Sequence, residues 1–148
     1  MKNLLRNIGK KSKKAFSVQL NTKTKDKVLN DYLHLIIKNK KLILTENLKD
    51  IKNAHKKKLK DNLIKRLVLD EKKIFDIINS IKKIIKLRDP TNIVLEKWSR
   101  PNGLNISKVS IPIGVIGVIY ESRPNVTSDI ASLCFKSGNS VILKGGSE

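Results

Sequence analysis

Several residue types are scarce in this sequence, and each scarcity excludes a class of protein. A single cysteine among 148 residues rules out an internal disulfide and is typical of a reducing compartment. No apolar run approaches the roughly 18 residues that a membrane helix needs. The two histidines, His34 and His55, lack neighbours at metal-ligand spacing. We therefore expect a cytoplasmic protein without a metal site or a membrane partner.

Acidic residues are also scarce, and this scarcity is uneven. The net charge is +19, and residues 1–100 hold 28 basic and 10 acidic side chains, whereas residues 101–148 hold four and three. A basic half raises the question of a nucleic-acid partner. However, 27 of the 32 basic residues are lysine, whereas base readout prefers arginine, and aromatic residues for stacking make up only 4%. We interpret the lysines as solvated helix faces and do not expect nucleic-acid binding.

The first 90 residues are patterned as helices. Apolar spacing predicts helices over residues 4–20, 25–39 and 59–69, with a break and cap at Asn21-Thr22. A further helix has its apolar stripe at Leu44, Leu48, Ile51 and His55. The clearest helix covers residues 71–86, is capped by Asp70, and carries isoleucines at nearly ideal helical spacing. We expect these isoleucines to form the core.

Residues 91–110 predict two strand-like pieces, 93–98 and 104–110, after Asp89-Pro90 ends the helical region. Arg100, Pro101, Asn102 and Gly103 lie between them and are a strong turn signal. The alternation of apolar and polar residues is imperfect. We therefore expect a hairpin with few deeply buried side chains.

Residues 111–148 predict a strand, a loop, a helix and a second strand. The first strand covers residues 115–120 and a polar loop covers 121–126. Thr127 or Ser128 would cap a helix that runs to about residue 137, with Asp129 in its first turn. Gly138-Asn139 would end the helix, and residues 141–143 would form the next strand. This order is a βαβ unit, so the expected fold class is α/β.

The residues of this unit are specific enough to suggest a family. The string IPIGVIGVIYESRPNVT, followed by CFKSGNSVILKGGSE, closely resembles gamma-glutamyl phosphate reductase, also called glutamate-5-semialdehyde dehydrogenase, of the aldehyde dehydrogenase superfamily. The family enzyme is much longer. The resemblance implies that residues 1–90 are its N-terminal helical region and residues 91–110 a β extension that packs on a partner subunit. Residues 111–148 would be the first βαβ unit of its cofactor-binding domain. Family members usually carry glycine at the position of Lys58, so a different turn geometry is expected as an alternative there.

The resemblance also implies a reaction. The family reduces L-glutamyl 5-phosphate to L-glutamate 5-semialdehyde and phosphate with NADPH, in proline biosynthesis. In this mechanism a cysteine thiolate displaces phosphate, and hydride then reduces the thioester. The implied partners are L-glutamyl 5-phosphate, a C-terminal complementing half or further copies of the chain, and glutamate 5-kinase. The alternative is a basic remnant without catalysis that acts as an interaction or nucleic-acid-binding protein.

Two residues of the predicted loop are candidates for substrate chemistry. Asn125 follows a buried strand, at the position where open α/β sheets bind ligands. In the resembled superfamily this amide donates to the developing oxyanion, a device that stabilises transition-state charge. Without the resemblance, an asparagine that stabilises a turn is the better interpretation. Arg123 could bind phosphate or carboxylate, or could pair with Glu121.

The second strand leads into candidate cofactor residues. The resemblance implies that Lys144 holds the adenosine-ribose end of NADPH, whose 2′-phosphate suits a cation. Gly145 and Gly146 would let the backbone approach the cofactor closely. Glu148 corresponds to a superfamily glutamate that binds the ribose hydroxyls, although its spacing from the lysine differs by one residue.

Cys134 is the only thiol, yet it is not the expected nucleophile. It lies within the predicted helix between Leu133 and Phe135, which is the setting of an inert core cysteine. Family members carry a cysteine here as well, and their nucleophile lies far downstream. We therefore expect this chain alone to be catalytically inactive.

Overall fold

The computed structural model describes residues 2–121 and 123–146. It contains helices and strands in the order expected of an α/β fold. The helices are α1 Lys2–Phe16, α2 Thr22–Lys38, α3 Lys40–Lys56, α4 Asp61–Leu67, α5 Glu71–Lys86 and α6 Pro124–Lys136. The strands are β1 Val94–Ser99, β2 Asn105–Val109, β3 Val115–Ile119 and β4 Ser140–Lys144. In the part of the chain described, no helix combines the length and the apolar character that crossing a membrane requires.

The helical core forms between α2 and α5. The isoleucine stripe predicted for α5 is confirmed, because Ile74, Ile77, Ile81 and Ile84 are all buried. Ile74, Ile77 and Ile81 pack with Leu33 and Ile36 of α2 and with Leu69. The predicted cap is also confirmed, since the Asp70 carboxylate accepts a hydrogen bond from the backbone N–H of Lys73 at 2.7 Å.

The ends of α1 and α2 differ from the predicted ones by a few residues. α1 ends at Phe16 rather than near residue 20. Asn21 caps α2 as expected, because its side chain accepts the backbone N–H of Thr24 at 2.8 Å. The cap allows α2 to begin at Thr22, three residues earlier than its apolar pattern indicated.

The stripe predicted for α3 is wrong at two positions, because Leu48 and His55 are exposed. The buried residues of α3 are Asn47 and Ala54. The Asn47 amide donates to the carbonyl of Leu67 at 3.0 Å, and its oxygen accepts the N–H of Leu69 at 2.7 Å. A polar residue takes the buried position because it satisfies backbone groups at the end of α4, which apolar periodicity cannot reveal.

The turn between α3 and α4 places Lys58 in the left-handed region, with φ of 54°. Glycine adopts this conformation without strain, whereas other residues do so rarely. The resemblance expects glycine at this position, and the backbone conformation gives the physical reason. This chain therefore keeps the turn with a less suitable residue.

The predicted hairpin is confirmed as β1 and β2, which pair antiparallel with Trp98 opposite Ile106. Gly103, with φ of 83°, closes the turn, and its N–H donates to the carbonyl of Arg100 at 2.9 Å. Every residue of β1 is exposed, in agreement with the expected lack of deep-core residues.

The βαβ unit is confirmed by the parallel pairing of β3 with β4, in which Val115 lies opposite Ser140. α6 connects the two strands and packs on α5, while α1 packs on β4. α6 ends as predicted. The N–H of Gly138, whose φ is 72°, donates to the carbonyl of Phe135 at 3.0 Å, and the N–H of Asn139 donates to the backbone carbonyl of Cys134 at 2.8 Å. The division into three regions stays a prediction.

The start of α6 differs from the prediction. Neither Thr127 nor Ser128 is the cap, because α6 already begins at Pro124, and Asp129 consequently lies beyond the first turn. Proline suits the first helical position because its ring fixes φ at a helical value. The N–H that proline lacks would have no partner within the helix at this position. The predicted polar loop is shorter for this reason, and Asn125 belongs to the helix.

Candidate functional site

The candidate site lies where β3 and β4 end and α6 begins. The backbone N–H of Tyr120 donates to the carbonyl of Lys144 at 3.1 Å, so the two strands run side by side to this edge. The carboxyl edge of a parallel sheet is where α/β folds bind ligands. The sheet topology therefore brings the predicted residues Arg123, Asn125 and Lys144 to one edge.

Asn125 lies in the first turn of α6 and is half-buried. Its amide nitrogen donates to the Asp129 carboxylate across a long distance of 3.4 Å. A side-chain amide has two N–H groups, so this contact uses one donor weakly and leaves the other available. The second carboxylate oxygen of Asp129 is buried, and no hydrogen-bond partner lies near it in the described structure.

Arg123 occupies the N-cap position of α6 and is exposed. Its side chain makes no capping hydrogen bond, and within residues 2–121 and 123–146 no ion pair joins it to Glu121. The helix therefore begins with backbone N–H groups that no side chain of the N-cap residue satisfies. Such a helix start favours anions because the helix dipole is positive there.

The second strand ends in the predicted cofactor residues. Lys144 is exposed, and its ammonium group donates to the carbonyl of Gly145 at 2.6 Å. A Cβ atom at Gly145 would lie 3.7 Å from the hydroxyl oxygen of Tyr120, which is ordinary contact. The packing of this chain does not by itself require glycine at that position. Gly146 is exposed, and Glu148 lies outside the described residues.

Tyr120 was not predicted as part of the site. Its hydroxyl shares a 2.5 Å hydrogen bond with the hydroxyl of Thr127, and its ring faces Gly145. Tyr120 therefore links the first turn of α6 to the end of β4. The only signal in the sequence is an aromatic residue with a polar end directly after an apolar strand. That strand is predicted as buried, but β3 is only partly buried, with Ile119 86% exposed.

Cys134 is buried near the end of α6, as predicted. Desolvation by burial raises the pKa of its thiol, which disfavours the reactive thiolate. It lies nine positions after Asn125 on the helix, about 14 Å along the axis at 1.5 Å per residue. The thiol therefore lies away from the candidate site and is unreactive.

Two ion pairs with buried lysines lie near the C-terminal end of α6, and neither was predicted. Lys25 of α2 pairs with Asp89 at 2.8 Å, and both side chains are almost fully buried. Lys136 of α6 pairs with Asp26 and also donates to the carbonyl of Ile85 at 2.9 Å. Lys136 thereby ties the C-terminal end of α6 to α2 and α5.

The histidines do not contribute to a site. His34 is exposed on α2, as predicted, and His55 is exposed at the end of α3. Among the residues that the structure describes, no cluster of three or more potential metal ligands occurs.

Sequence comparison finds similar proteins that share one name. No family model matches the chain. A gamma-glutamyl phosphate reductase from Nautilia profundicola is 49% identical over all 148 residues, which span 36% of that protein. Another from Aliarcobacter butzleri is 51% identical over 129 residues, which are 87% of this chain and 31% of the relative. The chain thus spans about a third of the length of the curated relatives it matches.

Two solved structures carry the same name and the same fold. Gamma-glutamyl phosphate reductase from Thermotoga maritima is 39% identical with a TM-score of 0.88, over 93% of this chain and 34% of that one. The resemblance to gamma-glutamyl phosphate reductase is confirmed. The enzyme from Saccharomyces cerevisiae is 33% identical with a TM-score of 0.91, over 95% of this chain and 36% of that one. The α/β fold of this chain is that of the corresponding third of these reductases.

Proposed function

We propose that this chain is part of an NADPH-dependent reductase that converts L-glutamyl 5-phosphate to L-glutamate 5-semialdehyde and phosphate in the cytoplasm, for proline biosynthesis. The observation that carries this proposal is 49% identity to a gamma-glutamyl phosphate reductase over the entire chain. The alternative of a basic remnant that binds nucleic acid is not favoured, because the relatives and the solved structures are named as reductases.

The residues at the sheet edge fit a dinucleotide phosphate cofactor. Lys144 is an exposed cation, and Gly145 and Gly146 present backbone without side chains beside it. Since the packing of this chain does not require glycine at position 145, the small residue supports close approach of a ligand. NADPH supplies hydride when bound. Lys144 would hold the 2′-phosphate by a charge-assisted hydrogen bond.

Asn125 is proposed to donate its free amide N–H to the substrate oxygen on which negative charge develops. Its weak bond to Asp129 orients the side chain without occupying both donors. Arg123, at the exposed start of α6, is proposed to bind the phosphate or the carboxylate of the substrate. The nucleophilic cysteine is proposed to come from a polypeptide that corresponds to the other two thirds of the relatives.

The sheet itself supports such a complementing polypeptide. Ile113 and Ile119 are each 86% exposed, at the start and the end of the region that β3 occupies. Apolar side chains this exposed beside a two-stranded sheet indicate a surface that further chain would cover. The hairpin β1–β2 is proposed to pack on a second copy, as the resemblance implies, and glutamate 5-kinase is proposed as the supplier of substrate.

The test is NADPH oxidation with glutamyl phosphate produced in the assay by a kinase. We expect the lone chain to be inactive, and activity to appear when a polypeptide equivalent to the remaining two thirds of a relative is added. Cys134→Ala is the control and should leave the complemented activity unchanged, because its thiol is buried away from the site. Turnover by the lone chain that Cys134→Ala abolishes would contradict the assignment of the nucleophile. A folded, associated complex without turnover would contradict the proposed function.

A further inference from the structure

The hairpin formed by β1, β2 and their turn, here called the arm, receives little support from packing. Its strands pair with each other, and no other element packs closely on either of them in the described structure. Trp98 and Leu95 are 41% and 56% exposed, so the arm contributes no buried side chain that could fix its direction. A projecting element of this kind holds one direction only if its base is held.

The base of the arm contains the most deeply buried ion pair of the described structure. The ammonium group of Lys25 donates to both oxygens of the Asp89 carboxylate, at 2.8 and 3.1 Å, and to the Thr91 hydroxyl at 3.2 Å. The side chains of Lys25 and Asp89 are only 3% and 8% exposed. Asp89 also accepts the Thr91 backbone N–H at 3.0 Å and the hydroxyl of Thr22 at 3.0 Å. The segment that leads into the arm is therefore bonded to the first turn of α2.

The segment that follows the arm reaches the same region as the segment that leads into it. The Ser110 hydroxyl bonds to the carbonyl of Pro90 at 2.5 Å, which joins the outgoing segment to the incoming one. A Cβ atom at Gly138 would lie 3.0 Å from the Thr91 methyl group and 3.1 Å from the Pro112 ring. Both ends of the arm thus lie close to the end of α6, where an added methyl group would be crowded.

From this geometry we propose that Lys25 and Asp89 are positioning residues that set the direction of the arm relative to the helices. A buried ion pair satisfies its charges in one arrangement only, because each alternative leaves a charge without water or a partner. The exposed strands supply no competing constraint. The role concerns this chain alone and does not depend on the proposed reductase activity.

The experiment measures the distance between two spin labels on the full 148-residue chain. One label is placed on the arm by Lys97→Cys and the other on α5 by Lys82→Cys, both at exposed positions, with Cys134→Ala throughout. A second pair, on Asp31 of α2 and Lys82 of α5, reports the helices alone. We expect a narrow arm-to-α5 distribution in the parent chain, and a broad one after Lys25→Met, while the distribution between α2 and α5 stays narrow.

Two further variants make the result decisive. Lys108→Met removes an exposed lysine of the arm that pairs with Glu96 at 3.2 Å, and it should leave the distribution narrow. Asp89→Asn removes the charge and keeps the shape of the side chain. If Lys25→Met loses its helical circular dichroism, the arm distribution of Asp89→Asn is the result that tests the proposal. An arm distribution that stays narrow in Asp89→Asn and Lys25→Met overturns the proposal. A distribution that is already broad in the parent chain overturns it too.

Discussion

The helical region and the sheet region of this chain are held together in different ways. Among the described residues, every buried apolar side chain except Cys134 lies between Leu29 and Ile84. The sheet region, residues 111–146, instead exposes Ile111, Ile113 and Ile119 by 78% or more. Yet the sheet region carries the candidate site and the residues on which the resemblance to gamma-glutamyl phosphate reductase rests. The candidate site therefore lies in a different part of the chain from the apolar core.

The largest stability effect is expected in the helical region. Ile81 is completely buried between α2 and α5, so Ile81→Ala should lower the free energy of unfolding by about 2–5 kcal/mol. Phe75 lies on the same helix but is 60% exposed. Phe75→Ala should therefore change the free energy of unfolding by no more than about 0.5 kcal/mol. Urea unfolding followed by circular dichroism measures both. Equal effects of the two variants would contradict the location of the core.

Asn125→Ala should affect function and leave stability nearly unchanged. In the complemented enzyme the amide is assigned to charge that develops in the transition state, so kcat should fall by about 100-fold, with little change in KM. Steady-state kinetics measure this effect, and urea unfolding of the same variant provides the control. An unchanged kcat would show that Asn125 has only a structural role.

Asp89 should make stability depend on pH. Burial by itself raises the pKa of Asp89, but hydrogen bonds from Lys25, Thr91 and Thr22 outweigh it and lower the pKa from 3.8 to about 2. The ionised Asp89 carboxylate, with all these hydrogen bonds together, therefore stabilises the fold above about pH 4, by about 2 kcal/mol, and this contribution is lost as the pH falls toward 2.

The measurement for Asp89 compares urea unfolding of the parent chain and Asp89→Asn at about pH 5 and about pH 2.5. The difference in stability should be large at the higher pH and small at the lower one. Glu96→Gln, which removes an exposed carboxylate of the arm, serves as the control and should show no such change. A difference for Asp89→Asn that is the same at both pH values would contradict the assigned pKa.

Lys144→Ala should raise the KM for NADPH by about tenfold in the complemented enzyme, since a charge-assisted hydrogen bond contributes about 1.5–3 kcal/mol. The increase should be smaller for NADH, which has no 2′-phosphate. Kinetics with both cofactors measure the difference. Equal losses for NADPH and NADH would show that Lys144 does not bind the phosphate.

The smallest effect on stability is expected at the exposed face of the sheet. Ile119→Ser should change the free energy of unfolding by no more than about 0.5 kcal/mol, because the side chain is already 86% exposed. It should nevertheless reduce self-association, which light scattering after size-exclusion chromatography measures. A large loss of stability would indicate that Ile119 is buried within the lone chain.

The sequence predicted the elements that are governed by local patterns. The isoleucine spacing of α5, the Asp70 cap, the turn at Gly103 and the end of α6 at Gly138 each depend on a few neighbouring residues. The family strings also indicated which residues share the sheet edge. Local patterns failed where a distant partner decides the outcome. Asn47 is buried because its amide bonds to backbone 20 and 22 residues away.

The buried ion pairs could not be predicted for the same reason. Lys25 and Asp89 are 64 residues apart, and Asp26 and Lys136 are 110 apart. In a chain with 27 lysines, nothing in the local sequence distinguishes a buried lysine from a solvated one. The early start of α6 was missed because Pro124 was interpreted as part of a loop, although proline also suits the first helical position.

Amide hydrogen exchange of the lone chain, resolved by mass spectrometry, tests the contrast between the two regions most directly. Buried, well-packed helices exchange only through global unfolding, whereas a two-stranded sheet with unpaired edges and exposed apolar side chains opens locally. We therefore expect strong protection of α5, residues Glu71–Lys86, and markedly faster exchange in β3 and β4. Protection of β3 and β4 equal to that of α5 would contradict the account, because the sheet region would then be complete without further polypeptide.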